Sequence, residues 1–145
     1  MKKTKVLFVC EHNSARSQMA EAFLNTYARD KFEAESAGLE PGKLNPVVVK
    51  AMSEVGVDIS KNETKAVLDL FKKGNYYNFV ITVCDESVAE KCPIFPGVTT
   101  RLSWNISDPS RLEGTEEDKL EKTRIIRDKI KDKIQKFIEV YNINI

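Results

Sequence analysis

Short apolar, β-branched runs alternate along this chain with amphipathic stretches, and that order points to a parallel sheet wrapped in helices. Lys5 to Val9 reads as a buried strand centred on Val6-Leu7-Phe8-Val9. From Ser17, apolar residues recur at three and four (Met19, Ala20, Phe23, Leu24, Tyr27), which predicts an amphipathic helix ending near Lys31. Phe32 to Ser36 alternates as a second strand, closed by Ala37-Gly38. Asn45 can cap a helix with Pro46 at its first position, carrying Val48, Val49, Met52 and Val55 and stopping at Gly56. Another helical stretch is expected around Lys65 to Lys72. Asn78 to Val83 is the clearest strand, and Val98 to Trp104 reads as the last. Glu116 onward forms a long helix with Ile126, Ile130, Ile134, Phe137, Ile138 and Tyr141 on one stripe. Strands alternating with helices imply an α/β fold, its parallel sheet covered on both faces. Ligands of such sheets bind outside the carboxyl ends of the strands. Cys10 and Cys84 each end a strand, so both belong on that edge.

A chain of 145 residues argues for one domain spanning 1–145, enough to bury roughly 70% of the extended chain's surface. Hydrophobic residues at 41% and charged residues at 31% suit a soluble globular protein. The formal net charge of +1 gives no reason to expect nucleic acid or an anionic membrane as a partner. Apolar runs are a few residues long, far short of a membrane span, and the Lys-rich start leads straight into a strand rather than a signal peptide. Three cysteines are an odd count. Without export, that argues for reduced thiols with a catalytic or redox role, in the cytoplasm. A monomer is expected.

The stretch Cys10-Glu11-His12-Asn13-Ser14-Ala15-Arg16-Ser17 carries the strongest chemistry. It is Cys-x5-Arg-Ser, placed between a strand and a helix. Backbone N–H groups of a tight loop and of a helix's first turn bind phosphate-like anions. The same field favours the thiolate form of a cysteine at its mouth, and the thiolate is the nucleophile. Arg16 can grip two anion oxygens at once, and Ser17 can donate its hydroxyl to the sulfur. An Arg at a fixed offset from a Cys occurs roughly one time in twenty on average composition. The strand before and the helix after are what lift the pattern above a core cysteine with an arginine nearby. Asn13 tolerates a left-handed backbone, which a tight loop without glycine needs. His12, the only histidine, is read as a solvated side chain with no role in proton transfer.

With Val83-Cys84-Asp85, Cys92-Pro93 and Ser107-Asp108-Pro109, this loop makes the chain resemble the low-molecular-weight tyrosine phosphatase family, and within it the thioredoxin-coupled arsenate reductases. The resemblance covers essentially the whole chain. It implies a four-stranded sheet of order 2-1-3-4, which makes the strands ending at Cys10 and Cys84 neighbours. It implies that Glu11 to Ser17 bind the oxyanion and that Asp108 is the general acid; read on its own, Asp108 is also a frequent turn starter before proline. It implies a relay in which Cys10 attacks arsenate, Cys84 attacks Cys10, and Cys92 attacks Cys84. No bound cofactor is implied; thioredoxin is the external reductant. Some reductases of the family hold a potassium ion beside the loop. Asn13 and Glu21 match two of its ligands, but Lys65 stands where a third, an aspartate, is expected; its ammonium could replace the ion beside Asn13 and Glu21, or be a solvent-facing lysine on a helix.

Zinc bound by three cysteines and His12 lacks the close Cys-x2-4-Cys pairs of structural sites. A tyrosine phosphatase of the same fold would use Cys10, Arg16 and Asp108 but not Cys84 and Cys92. Phosphatases of the family usually carry a second cysteine in the loop, and Ala15 occupies the place beside Arg16. A non-catalytic anion or redox sensor would bind ligand without turnover.

Overall fold

The computed structural model describes residues 3–83 and 99–141. The elements are β1 (Thr4–Cys10), α1 (Arg16–Tyr27), β2 (Phe32–Gly38), α2 (Pro46–Ser53), α3 (Val67–Lys72), β3 (Phe79–Thr82), β4 (Thr100–Ser103), a 3-10 turn (Pro109–Arg111) and α4 (Glu116–Tyr141). All strand pairs are parallel and their order is β2-β1-β3-β4, as the resemblance implied.

The pleat sends alternate side chains of β1 to opposite faces. Val6 and Phe8 pack against Met19 and Phe23 of α1, Val48 and Met52 of α2, and Ile126, Ile130 and Ile134 of α4. Leu7 and Val9 face the other way, into a cluster with Val67 and Leu70 of α3, Tyr77 and Val80. A central strand covered on both sides has no polar face, which is why its sequence is apolar without interruption. Phe137 of α4 meets the rings of Phe32, Phe79, Trp104 and Tyr141, seating the helix across one face of the sheet. Polar ties reinforce the α2–α4 contact. Glu54 accepts from Arg124 Nε and Nη2 at 2.8 and 2.6 Å and from Arg127 Nη1 at 3.2 Å. Arg127 Nη1 also donates to the Ala51 carbonyl at 2.8 Å.

Several boundaries differ from the sequence reading. The first helix ends at Tyr27, not near Lys31, because Ala28 leaves the helical region (φ −142°) and its carbonyl accepts from both Lys31 and Phe32. The second ends at Ser53, and Gly56 serves the turn beyond it with φ +78°. Lys65 is not helical: its carbonyl accepts from Gly38 at 2.8 Å, so α3 starts only at Val67. Tyr141 lies at the exposed end of the α4 stripe, its ring against Phe79 and Phe137. The expected strand start at Val98, together with Cys84 and Cys92, lies outside the described residues.

Candidate active site

β1 ends at Cys10 beside Gly38 of β2, and the loop 11–15 joins it to α1. The carbonyls of Cys10, Glu11, His12 and Ser14 accept from the N–H groups of Leu39, Glu40, Gly42 and Asn45 at 2.8–3.1 Å. Those carbonyls are thereby committed to the 39–45 segment. The inside of the loop is left to N–H groups, joined by those of the first turn of α1, which have no acceptor within the helix. Asn13 reverses the chain with φ 55°, the left-handed conformation that asparagine tolerates. Gly38 packs under this reversal: a Cβ there would lie 2.7 Å from both Asn13 N and His12 C.

Cys10 is 3% exposed. Its sulfur lies 2.9 Å from Ser17 Oγ and accepts from the Asn13 N–H at 3.1 Å. Asn13 Nδ2 donates to Ser17 Oγ at 2.8 Å, which leaves the serine hydrogen to point at the sulfur. Asn13 Oδ1 accepts from Lys65 N at 2.9 Å and Gln18 Nε2 at 3.2 Å, so both ends of the amide are fixed. Gln18 continues the network to the Glu63 carbonyl and to Asn62. A thiolate at Cys10 would meet two aimed hydrogen-bond donors, the arrangement that stabilises sulfur as a nucleophile.

Arg16 is buried at the start of α1; its Nη1 donates to the Ile106 carbonyl at 2.9 Å and its Nη2 lies 3.6 Å from Asp108 Oδ2. Asp108 caps the 3-10 turn, Oδ1 accepting from Ser110 N at 2.9 Å. It is therefore both the turn starter and a carboxylate facing Arg16. His12 sits on the rim, with Nδ1 2.9 Å from the Glu40 carbonyl oxygen. On the side toward the second thiol, Val9 pairs with Thr82 and Val83 N donates to the Val9 carbonyl at 2.8 Å. The chain leading into Cys84 thus runs beside the chain leading into Cys10.

The residues set around a potassium ion by the resemblance are otherwise engaged. Asn13 Oδ1 already has two donors, and Glu21 accepts from Ser36 Oγ at 2.9 Å. Burial raises the Glu21 pKa, while the Ser36 hydrogen bond and the nearby Lys65 charge pull it down. The Lys65 charge acts on Glu21 at the place where the resemblance sets the ion. Nothing local in the sequence marks Gly38 or Gln18 as part of the site. Only the close approach of β2 to the loop, and of α1 to residues 62–65, brings them into the site.

A Cys-x5-Arg loop between the first strand and helix of a parallel sheet, with an aspartate facing the arginine, is the kind of site at which a cysteine can serve a tetrahedral oxyanion. The chain belongs to the low molecular weight phosphotyrosine protein phosphatase family, whose pattern matches residues 5–144. It is 43% identical over 140 residues to the arsenate reductase of Shouchella clausii, covering 96% of this chain and 98% of that protein. A solved arsenate reductase in its oxidized state superposes with a TM-score of 0.79 at 30% identity, covering 94% of this chain and 97% of the other. The thioredoxin-dependent arsenate reductase of Corynebacterium glutamicum gives 0.64 at 31% identity, covering 92% of this chain and 62% of that one. Among the described residues, no helix is long and apolar enough to cross a membrane.

Proposed function

We propose that this protein reduces arsenate to arsenite through Cys10, Cys84 and Cys92, with thioredoxin as the external reductant. It would act as a cytoplasmic monomer without a bound cofactor, in arsenic detoxification. The loop N–H groups of Glu11 to Ser17 and the Arg16 guanidinium hold the oxyanion, and the Cys10 thiolate attacks arsenic. Asp108 delivers a proton to the departing oxygen, which leaves as water. The Cys84 thiolate then attacks the Cys10 sulfur. The S–As bond breaks with its electron pair going to arsenic, so As(V) becomes As(III), arsenite departs and a Cys10–Cys84 disulfide remains. Cys92 attacks Cys84, freeing Cys10 and leaving Cys84–Cys92 for thioredoxin, whose potential of about −270 mV makes it a strong dithiol reductant.

The observation that carries this reading is the β1–β3 register. With Val83 N bonded to the Val9 carbonyl, the residues before Cys10 and before Cys84 are hydrogen-bonded neighbours at the carboxyl edge of the sheet. The names of the relatives support the substrate, and the Corynebacterium neighbour supports the reductant. Arsenate and phosphate are nearly the same shape, so some hydrolysis of phosphate esters is expected of the same pocket. The test is arsenate turnover with thioredoxin, thioredoxin reductase and NADPH, beside a phosphate-ester assay. Cys10→Ser should abolish both activities, and Cys84→Ser only the reduction. Cys92→Ser should complete one reduction and stop. Sustained turnover by Cys92→Ser with thioredoxin would refute the relay. Ester hydrolysis with no arsenate reduction by the wild type would make the protein a tyrosine phosphatase.

A further inference from the structure

Asp108 Oδ2 stands between two guanidiniums. Arg16 Nη2 approaches it to 3.6 Å from inside the site, and Arg111 Nε to 3.7 Å from outside. Arg111 also reaches across the mouth, its Nη2 3.9 Å from Glu11 Oε2 on the anion loop. The two arginines differ sharply in setting: the Arg16 side chain is 7% exposed and that of Arg111 is 71% exposed. Arg16, Asp108, Arg111 and Glu11 thus form one ionic chain around the rim, with no net charge. Without Arg111 the chain would present a net negative charge to an arriving anion. Arg111 shares a 3-10 turn with Asp108, so it stays beside that carboxylate wherever the turn moves.

We propose that Arg111 is the outer anion-capture residue of this site. It draws the oxyanion dianion to the rim. It then stays with Asp108 when the anion displaces that carboxylate from Arg16, offsetting its charge until Asp108 takes from solvent the proton it delivers to the departing oxygen. Capture by an exposed guanidinium acts through binding and through long-range attraction, both of which salt screens. The inference rests on the oxyanion reading of the loop, and the experiment separates the two.

Inorganic phosphate is the probe, titrated calorimetrically at low and high ionic strength into wild type, Arg111→Gln and Arg111→Lys; arsenate kcat and KM are measured on the same proteins. Removing the charge should raise the phosphate Kd and the arsenate KM roughly 3- to 10-fold, the worth of an exposed charge, and lower kcat by less. The salt dependence of the Kd should flatten, and Arg111→Lys should recover most of the loss. A denaturation midpoint equal to wild type identifies the Gln variant as folded. Unchanged phosphate affinity and salt dependence in Arg111→Gln would overturn the proposal, as would a Lys variant no better than Gln. A wild type that neither binds phosphate nor turns over arsenate would overturn the oxyanion reading itself, and the proposal with it.

Discussion

Replacing Gly38 by alanine tests whether close backbone contact sets the anion loop. A Cβ at this position would meet Asn13 N and His12 C at 2.7 Å and the Glu11 carbonyl oxygen at 3.0 Å. Ordinary carbon contacts begin near 3.5 Å, so roughly 0.8 Å of movement is needed. No side chain can rotate away, because every atom met is main chain. Gly38 cannot retreat either, since its N–H bonds to the Lys65 carbonyl at 2.8 Å and it pairs with Cys10 in the sheet. The loop must therefore move, and with it the Asn13 N–H that faces the Cys10 sulfur. Overpacking of this kind destabilises by about 1–3 kcal/mol. Misplacement of a reacting group by most of an ångström should lower kcat/KM by about 10²-fold. Gly56→Ala is the control: its Cβ meets nothing within 4 Å, but its φ of +78° strains an alanine. That variant should lose about 1–2 kcal/mol and keep its activity. Urea denaturation and arsenate turnover read the two effects separately. A Gly38→Ala enzyme that is destabilised like Gly56→Ala but turns over like wild type would refute the claim that this contact sets the loop.

Asp108→Asn should lower phosphate-ester turnover by roughly 10²–10⁴-fold, the usual worth of a general acid, while phosphate affinity measured by calorimetry changes far less. Hydrogen bonding from Arg124 holds the Glu54 carboxyl at about 2, below its ordinary 4.5. A carboxyl depressed in the folded state stabilises fully above its ordinary value and loses that contribution as pH falls through the window from 4.5 to about 2. Urea midpoints of the wild type should fall across that window more steeply than those of Glu54→Gln. Lys65→Ala removes a charge that lowers the Glu21 pKa, so that pKa, followed by carboxyl NMR, should rise further. If the Lys65 ammonium stands in for the ion, exchanging sodium for potassium at constant ionic strength should leave wild-type activity nearly unchanged, and clear potassium activation would contradict that substitution.

Hydrophobic period and turn chemistry, which are local, made much of this protein legible from its residues. The uninterrupted Val6–Val9 run marked the strand that is covered on both faces, and Asn45-Pro46 marked a helix start that the Asn45 side chain does cap. Asn13 is one of the few residue types that accept a left-handed turn, and its φ is 55°. Helix ends were less legible, since the stop at Tyr27 depends on Ala28 turning the chain back into β2. The strand order came with the resemblance rather than from any periodicity. Gly38 under the loop, Lys65 on the Asn13 amide, Gln18 tied to Asn62 and Glu63, and Arg111 reaching Glu11 belong to the tertiary structure alone. Each of these joins residues far apart in sequence, at distances set by sheet register and helix packing, and nothing in a neighbouring residue encodes that distance. Sequence determines which groups can do chemistry; the register of β2, β1 and β3 decides which of them meet.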